Sequence, residues 1–154
     1  LLPRPTKFFL TAASAEGKTE LTAFDNSLLA AGVGNLNLLR VSSILPPRCE
    51  FITDAAIPEG SLLPIAYGSI VSEEPGQLIA AAVAVGIPAD ADHPGVIMEH
   101  SGVMSAAEAK ICVVKMVEEA FAVRGVVLAD IKTAVAEHRV QSVGCAFAAV
   151  PLWY

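Results

Sequence analysis

The chain is short of charge, of cysteine and of any run of basic residues. Charged residues make up 17% of it, against 54% hydrophobic, which is more apolar than an average soluble domain. Its longest apolar stretch, Leu78 to Pro88, is too short for a spanning helix and is rich in alanine and glycine. A membrane-spanning protein is therefore disfavoured, and an oligomer with large buried interfaces is expected instead. No basic segment precedes an apolar run at the start, so no secretory signal is read. Net charge is −6 and there is no basic tract, which argues against nucleic-acid binding by phosphate neutralisation. An acidic surface can instead steer a cationic small molecule. At 154 residues one domain is expected, spanning 1–154.

Cys49, Cys112 and Cys145 are odd in number and show no CxxC spacing. They read as reduced thiols in a cytoplasmic protein, with Cys112 on the apolar side of a helix. His93, His100 and His138 lack HExxH or similar spacing, and no metal site is read. His138 reads as a structural residue. His100 points away from its neighbour Glu99 if their strand is regular.

The pattern along the chain predicts two helices and about seven strands, an α+β sandwich. Thr6 to Ala13 reads as a strand and Thr22 to Ala31 as a short helix ended by Gly32 and Gly34. Asn35 to Ser42 reads as a strand with both faces buried, and Glu50 to Thr53 as a short one. Ser61 to Ser72 and Gln77 to Gly86 read as a hairpin around the turn Glu73-Glu74-Pro75-Gly76. Gly95 to Ser101 is a further strand. Ala106 to Arg124 is the clearest helix. Ser105 and Glu108 form its capping box, and Ile111, Val114, Val117, Ala120 and Phe121 form its apolar stripe. Val126 to Val140 reads as a strand region with room for a break. The final strand is Val143 to Trp153, with Trp153 and Tyr154 as packing anchors.

One junction stands apart. The segment NLNLLRVSSILPP, Asn35 to Pro47, ends a strand at Ser42-Ser43 and runs into Pro46-Pro47. Proline donates no backbone hydrogen bond and restricts the residue before it. The backbone around Ser43 is therefore not expected to settle into a regular ladder, and strain of this kind is often tied to function.

FDNSLLAAGVGNLNLLRVSSILPP resembles the self-processing segment of pyruvoyl-dependent arginine decarboxylases. The resemblance continues through PIAYGSIVSEEPGQLIAAAVAVGIP, GVIMEHSG, AEH and GCAFAAVPLWY, from about Leu10 to Tyr154. It implies a four-layer αββα sandwich assembled as a trimer. It also implies decarboxylation of L-arginine to agmatine and CO2 in polyamine biosynthesis, through a Schiff base to a pyruvoyl group made from Ser43. Pyridoxal phosphate is not expected, because no lysine and phosphate-cradle arrangement for it is seen.

The route is chemically reasonable. The Ser43 hydroxyl attacks the Ser42 carbonyl and converts the amide to an ester. Elimination leaves Ser42 as the carboxyl end of a β chain, 1–42, and dehydroalanine at the head of an α chain, 43–154. Hydrolysis then releases ammonia and leaves the pyruvoyl group. The resemblance further implies Glu99 as proton donor, Asn37 in processing or positioning, and Asp25 and Gly34 at the substrate. On the residues alone, Glu99 beside apolar neighbours is a group whose pKa burial raises. Asn37 could equally serve a strand edge, and Asp25 a helix start. Two alternatives are a pyruvoyl decarboxylase for histidine or ornithine, and a non-catalytic oligomeric binding protein of the same fold.

Overall fold

The chain, in a computed structural model that describes residues 2–154, runs β1 (Lys7–Phe8), β2 (Thr11–Glu16), α1 (Glu20–Ala30), β3 (Asn37–Arg40), β4 (Ile44–Leu45), β5 (Glu50–Phe51), β6 (Leu62–Ser72), β7 (Leu78–Pro88), β8 (Gly95–Gly102), α2 (Ala106–Arg124), β9 (Leu128–Arg139) and β10 (Gly144–Trp153). These described elements form one small α+β domain with two mixed or antiparallel sheets.

Two strands decide how the parts fit. β7 and β10 are buried almost from end to end. On β7, Ile79, Ala81, Val83 and Val85 join a cluster with Ala146, Ala148 and Val150 of β10. Its alternate residues Ala80, Ala82 and Ala84 pack with Val113, Val117 and Phe121 of α2. On β10, Phe147 and Ala149 pack with Leu28 of α1, and with Val33, Leu63 and Ile65. The period of two thus sends each strand's side chains to two apolar environments, which is why neither strand alternates with polar residues. Alanine's helix advantage over valine is only several tenths of a kcal/mol per residue. One fully buried valine or isoleucine is worth about 1.5–3 kcal/mol, so burial on both faces prevails and β7 is extended.

The first sheet has the order β3-β6-β10-β1-β5, with β2 also on β10. β1 and β2 pair with successive parts of β10, so the expected first strand is interrupted around Phe9 and Leu10. The second sheet has the order β4-β8-β7-β9. The expected hairpin is therefore absent: β6 and β7 belong to different sheets. The Glu73–Gly76 turn is real, with Gly76 at φ 85°, but it carries the chain from one sheet to the other. Gly76 N donates to Val140 O, and Gln77 O accepts from Val140 N, so the turn is anchored on the far end of β9. β9 runs without the expected break. Its pairing slips only at Ile87/Pro88, where proline offers no donor.

Both helices start on capping boxes. Ser105 and Glu108 cap α2 as expected, and Gly125 ends it at φ 64°. α1 begins earlier than expected, because Thr19 and Thr22 exchange the bonds of a capping box. The buried stripe of α2 is Ala109, Val113, Val117, Ala120 and Phe121. Ile111 lies outside it and is 54% exposed, and Cys112 is only partly buried. Gly86 explains the close approach of α2 to β7. A Cβ there would lie 2.4 Å from Phe121 Cε1 and 2.5 Å from Val117 Cγ1. Gly86→Ala should cost about 1–3 kcal/mol through overpacking. Urea unfolding checks this, and an unchanged midpoint would mean the ring has room to move.

β3 corrects another expectation. It is an edge strand whose residues are mostly exposed, not a strand buried on both faces. His138 holds a structural place: its Nε2 lies 2.5 Å from Glu16 Oε2. Glu16 also accepts from Ser142 N and Gln141 N, tying β2 to the β9–β10 turn. Burial alone would raise the Glu16 pKa, but the bonds from His138, Ser142 and Gln141 outweigh it and hold the carboxyl below its usual value. Trp153 packs against the α1 cluster, with Tyr154 at 5.2 Å between ring centroids.

Candidate active site

The segment between β3 and β4 is where the chain leaves one sheet for the other. Val41 N donates to Ile65 O at 3.0 Å, a bond to β6 of the first sheet. Ile97 N donates to Ser43 O at 2.8 Å, a bond to β8 of the second. The Ser42–Ser43 peptide spans the gap between these two anchors. Ser43 has φ 81°, in the region that favours glycine, and a non-glycine residue held there costs about 1–3 kcal/mol. The irregularity expected from the sequence is present: residues 41–43 lie outside both ladders, and the positive φ falls on Ser43. The ladder resumes at once, with Ile44 opposite Val96 and Leu45 opposite Gly95.

Glu99 reaches the same place from β8. Its partner across the sheet is Val83, while His100 pairs with Ala82, so the two neighbours face opposite sides. Ser43 Oγ donates to Glu99 Oε2 at 3.2 Å. Gly68 of β6 makes room for the acid, since a Cβ there would stand 3.3 Å from Glu99 Cβ. Burial raises the Glu99 pKa above its ordinary value, and the Ser43 bond and the Arg40 charge only partly offset this. Ser42, Ser43 and Glu99 line one cavity of about 200 Å³ with Ile44, Val96, Ile97, Met98, Met116 and Arg124. The cavity therefore combines a strained hydroxyl residue, one half-buried carboxyl and an apolar wall. That set suits nucleophilic attack by the hydroxyl and proton delivery by the acid.

The remaining expected residues lie elsewhere in this chain. Asn37 is exposed at the start of β3 and donates from Nδ2 to Gly60 O at 2.9 Å. Gly34 lies just before β3 and lines a separate cavity of about 380 Å³ with Leu29, Asn35, Asp54 and Glu59, among others. It has a packing reason as well, because a Cβ there would meet Leu29 Cγ at 2.6 Å. Asp25 is exposed on α1 and lines neither cavity. It sits beyond the first turn, where Glu20 is the acid, so the helix-start role does not hold. Gly34 and Ser43 flank opposite ends of β3, whose four residues alone span about 10 Å.

Several residues around Ser43 and Glu99 were not anticipated. Arg40 lies outside the cavity lining but stands 3.9 Å from Glu99, and an arginine directly after two leucines, close before the serines, is the signal that could have drawn notice. Met116 and Arg124 come from α2, and no spacing links them to Ser43. Among the described residues, no three His, Cys, Asp or Glu side chains gather as a metal site, and no helix is long and apolar enough to cross a membrane.

A serine held out of its preferred backbone region beside a half-buried acid is compatible with a lyase that builds a carbonyl cofactor from its own chain. Comparison with known proteins places the chain in that class, the decarboxylases with a covalent pyruvoyl group in place of pyridoxal phosphate. It belongs to the pyruvoyl-dependent arginine decarboxylase family, whose model matches residues 7–154. A pyruvoyl-dependent arginine decarboxylase of Methanocaldococcus jannaschii is 47% identical over 150 residues, covering 97% of this chain and 91% of that protein. One from Methanococcus maripaludis is 44% identical over 150 residues, covering 97% and 92%. One from Thermococcus sibiricus is 50% identical over 135 residues, covering 86% and 85%.

Proposed function

We propose that this chain cuts itself between Ser42 and Ser43 and then decarboxylates L-arginine to agmatine and CO2, supplying polyamine synthesis. The observation that carries the reading is Ser43 itself, at φ 81° with its hydroxyl 3.2 Å from the Glu99 carboxyl, in a chain of this family. Attack by the Ser43 hydroxyl on the Ser42 carbonyl replaces a strained amide by an ester. Elimination and hydrolysis then give chains 1–42 and 43–154.

The cavity fits the group that results. The Ile97 N–H holds the carbonyl of residue 43, and Val96, Met98 and Met116 supply an apolar wall. When formed, the pyruvoyl carbonyl supplies the electron sink that amino-acid side chains lack. Glu99 keeps a proton through its burial and delivers it to the substrate α-carbon after CO2 leaves.

The assembly is a trimer of four-layer αββα subunits, with each site shared between neighbouring copies. Two features support sharing. Glu99 is the one carboxylate lining the Ser43 cavity, so a substrate guanidinium needs a further acid. Gly34 and Asn37 lie at the other end of β3, and Asp25 is exposed on α1, outside the Ser43 cavity. A head-to-tail ring would bring one copy's Asp25 and Gly34 to the next copy's Ser43. It would also cover the exposed face of β3, where Leu39 is 41% exposed. The three free cysteines suit a reducing cytoplasm.

Intact-mass measurement and CO2 release test the reading together. Two fragments are expected whose summed mass exceeds the precursor by one water minus one ammonia. Arginine should be turned over in preference to ornithine and histidine. An uncut chain would remove self-processing, and preferred turnover of histidine would sink the arginine assignment.

A further inference from the structure

The geometry points to Arg40 as the positioning residue of Glu99: it is fixed on β6 independently of the acid and bears on the carboxyl oxygen that does not face Ser43. This deepens the reading of Glu99 as proton donor and rests on it.

Arg40 ends β3, three residues before Ser43. Its Nη2 donates to Tyr67 O at 2.7 Å, and its guanidinium carbon stands 4.4 Å from the Tyr67 ring centroid. The flat guanidinium is thus held by a carbonyl and by an aromatic face, a combination that lysine does not reproduce. From that seat Nη2 lies 3.9 Å from Glu99 Oε1, while Ser43 Oγ is bonded to Oε2. Gly68, the residue after Tyr67, forms the floor under the Glu99 side chain. The acid is therefore bracketed, with Arg40 on one oxygen and Ser43 on the other.

The groups facing Glu99 are few. β3 brings Arg40, and β6 brings the uncharged Gly68, the Tyr67 ring lying on the α1 side with Phe24 and Phe147. β7 brings the apolar Val83 opposite it. From α2, Arg124 lines the cavity, but its Nη1 donates to Ala120 O at 3.1 Å within its own helix. His100, next on β8, faces the other side. Arg40 is thus the cation placed to act on Glu99. It draws the proton affinity of the acid down against the effect of burial. The guanidinium is 56% exposed, so solvent screens much of this influence.

Arg40→Met and Arg40→Lys test the assignment in purified, processed enzyme. Turnover that needs a protonated Glu99 declines as pH rises through the pKa of that group. Without the Arg40 charge, Glu99 holds its proton to higher pH. Arg40→Met should therefore move the alkaline limb of kcat upward by about half a pH unit, with KM for arginine within about twofold. Arg40→Lys keeps the charge but loses the stacking on Tyr67, so its shift should be smaller. A fall in kcat with the limb unmoved would reduce Arg40 to a structural residue. A raised KM at unchanged kcat would make it a substrate contact instead. Both results overturn the proposal.

A second readout does not need activity. Carbon-13 NMR of glutamate carboxyls in the uncut Ser43→Ala chain follows the titration of Glu99, assigned by its loss in Glu99→Gln. Adding Arg40→Met should raise the midpoint, and an unmoved midpoint overturns the proposal even if Glu99 proves not to be the donor. Normal agmatine formation by Glu99→Gln would instead overturn the donor reading and leave this titration as the judge of Arg40.

Discussion

Ser43→Ala leaves a single full-length chain and abolishes decarboxylation. The hydroxyl is the only group at position 43 that can attack the Ser42 carbonyl, and without it neither the ester nor the cofactor forms. The effect is all or none, unlike the graded loss from a catalytic side chain. The variant should remain folded, because alanine keeps the Ile97 N–H to residue 43 carbonyl bond and carries the same backbone penalty at φ 81°. Intact mass and a denaturing gel read the outcome. Ser42→Ala is the informative control: Ser42 is exposed and contributes its carbonyl, so that variant should still cut. A cleaved Ser43→Ala chain, or an uncut Ser42→Ala chain, would transfer the nucleophile's role away from Ser43. Ser43→Cys offers a thiol in place of the hydroxyl and should cut through a thioester.

The parts of the fold that local chemistry dictates were legible in the sequence. α2 declared itself through Ser105, Glu108 and Gly125. The bend at Glu73–Gly76 was legible for the same reason, since those residues favour turns. What the turn could not reveal was the sheet that the next strand would join. A reversal between β6 and β7 serves a hairpin or a crossing between sheets equally well. The choice rests on burial of both faces of β7, which depends on α2 and β10, distant in sequence. β3 was misjudged in the opposite sense. Its leucines suggested burial, yet it lies at a sheet edge with Leu39 41% exposed.

The site divides along the same line. The Ser42-Ser43 junction could be read from serine and proline chemistry. That Glu99 reaches it depends on β4 pairing with β8, a register no local pattern encodes. Asp25 and Gly34 were connected to the site only by resemblance, and a single chain holds them apart from Ser43. Arg40 was overlooked because a lone arginine near a strand end has an ordinary solvated meaning. Its seat on Tyr67 appears only once β3 lies beside β6.

Glu99→Gln should cut normally and lose about 10²–10⁴-fold in kcat, the range for a general acid. Glutamine keeps the size of the side chain and can still bond Ser43, so processing has what it needs. It cannot deliver a proton, so the α-carbon is left without its donor. The same change should affect stability in the opposite direction. Burial raises the Glu99 pKa in the folded chain, while the Ser43 bond and Arg40 lower it by less. A carboxyl raised in this way favours the folded state below its ordinary pKa, and that stabilisation is lost as pH rises through the folded value. Above that point wild-type protein holds a carboxylate charge in a half-buried place at a cost. Glutamine removes the cost, so at pH 8 the variant should be as stable as wild type or more so, and the difference should shrink toward pH 4. Urea unfolding across that range, on uncut Ser43→Ala chains with and without the change, measures the effect free of processing. A variant that is inactive but also less stable at pH 8 would show Glu99 to be a packing residue, whose loss disturbs the cavity. Inactivity with retained or increased stability is what a proton donor held in a poorly solvated site produces, because the burial that raises its pKa is itself a cost to the fold.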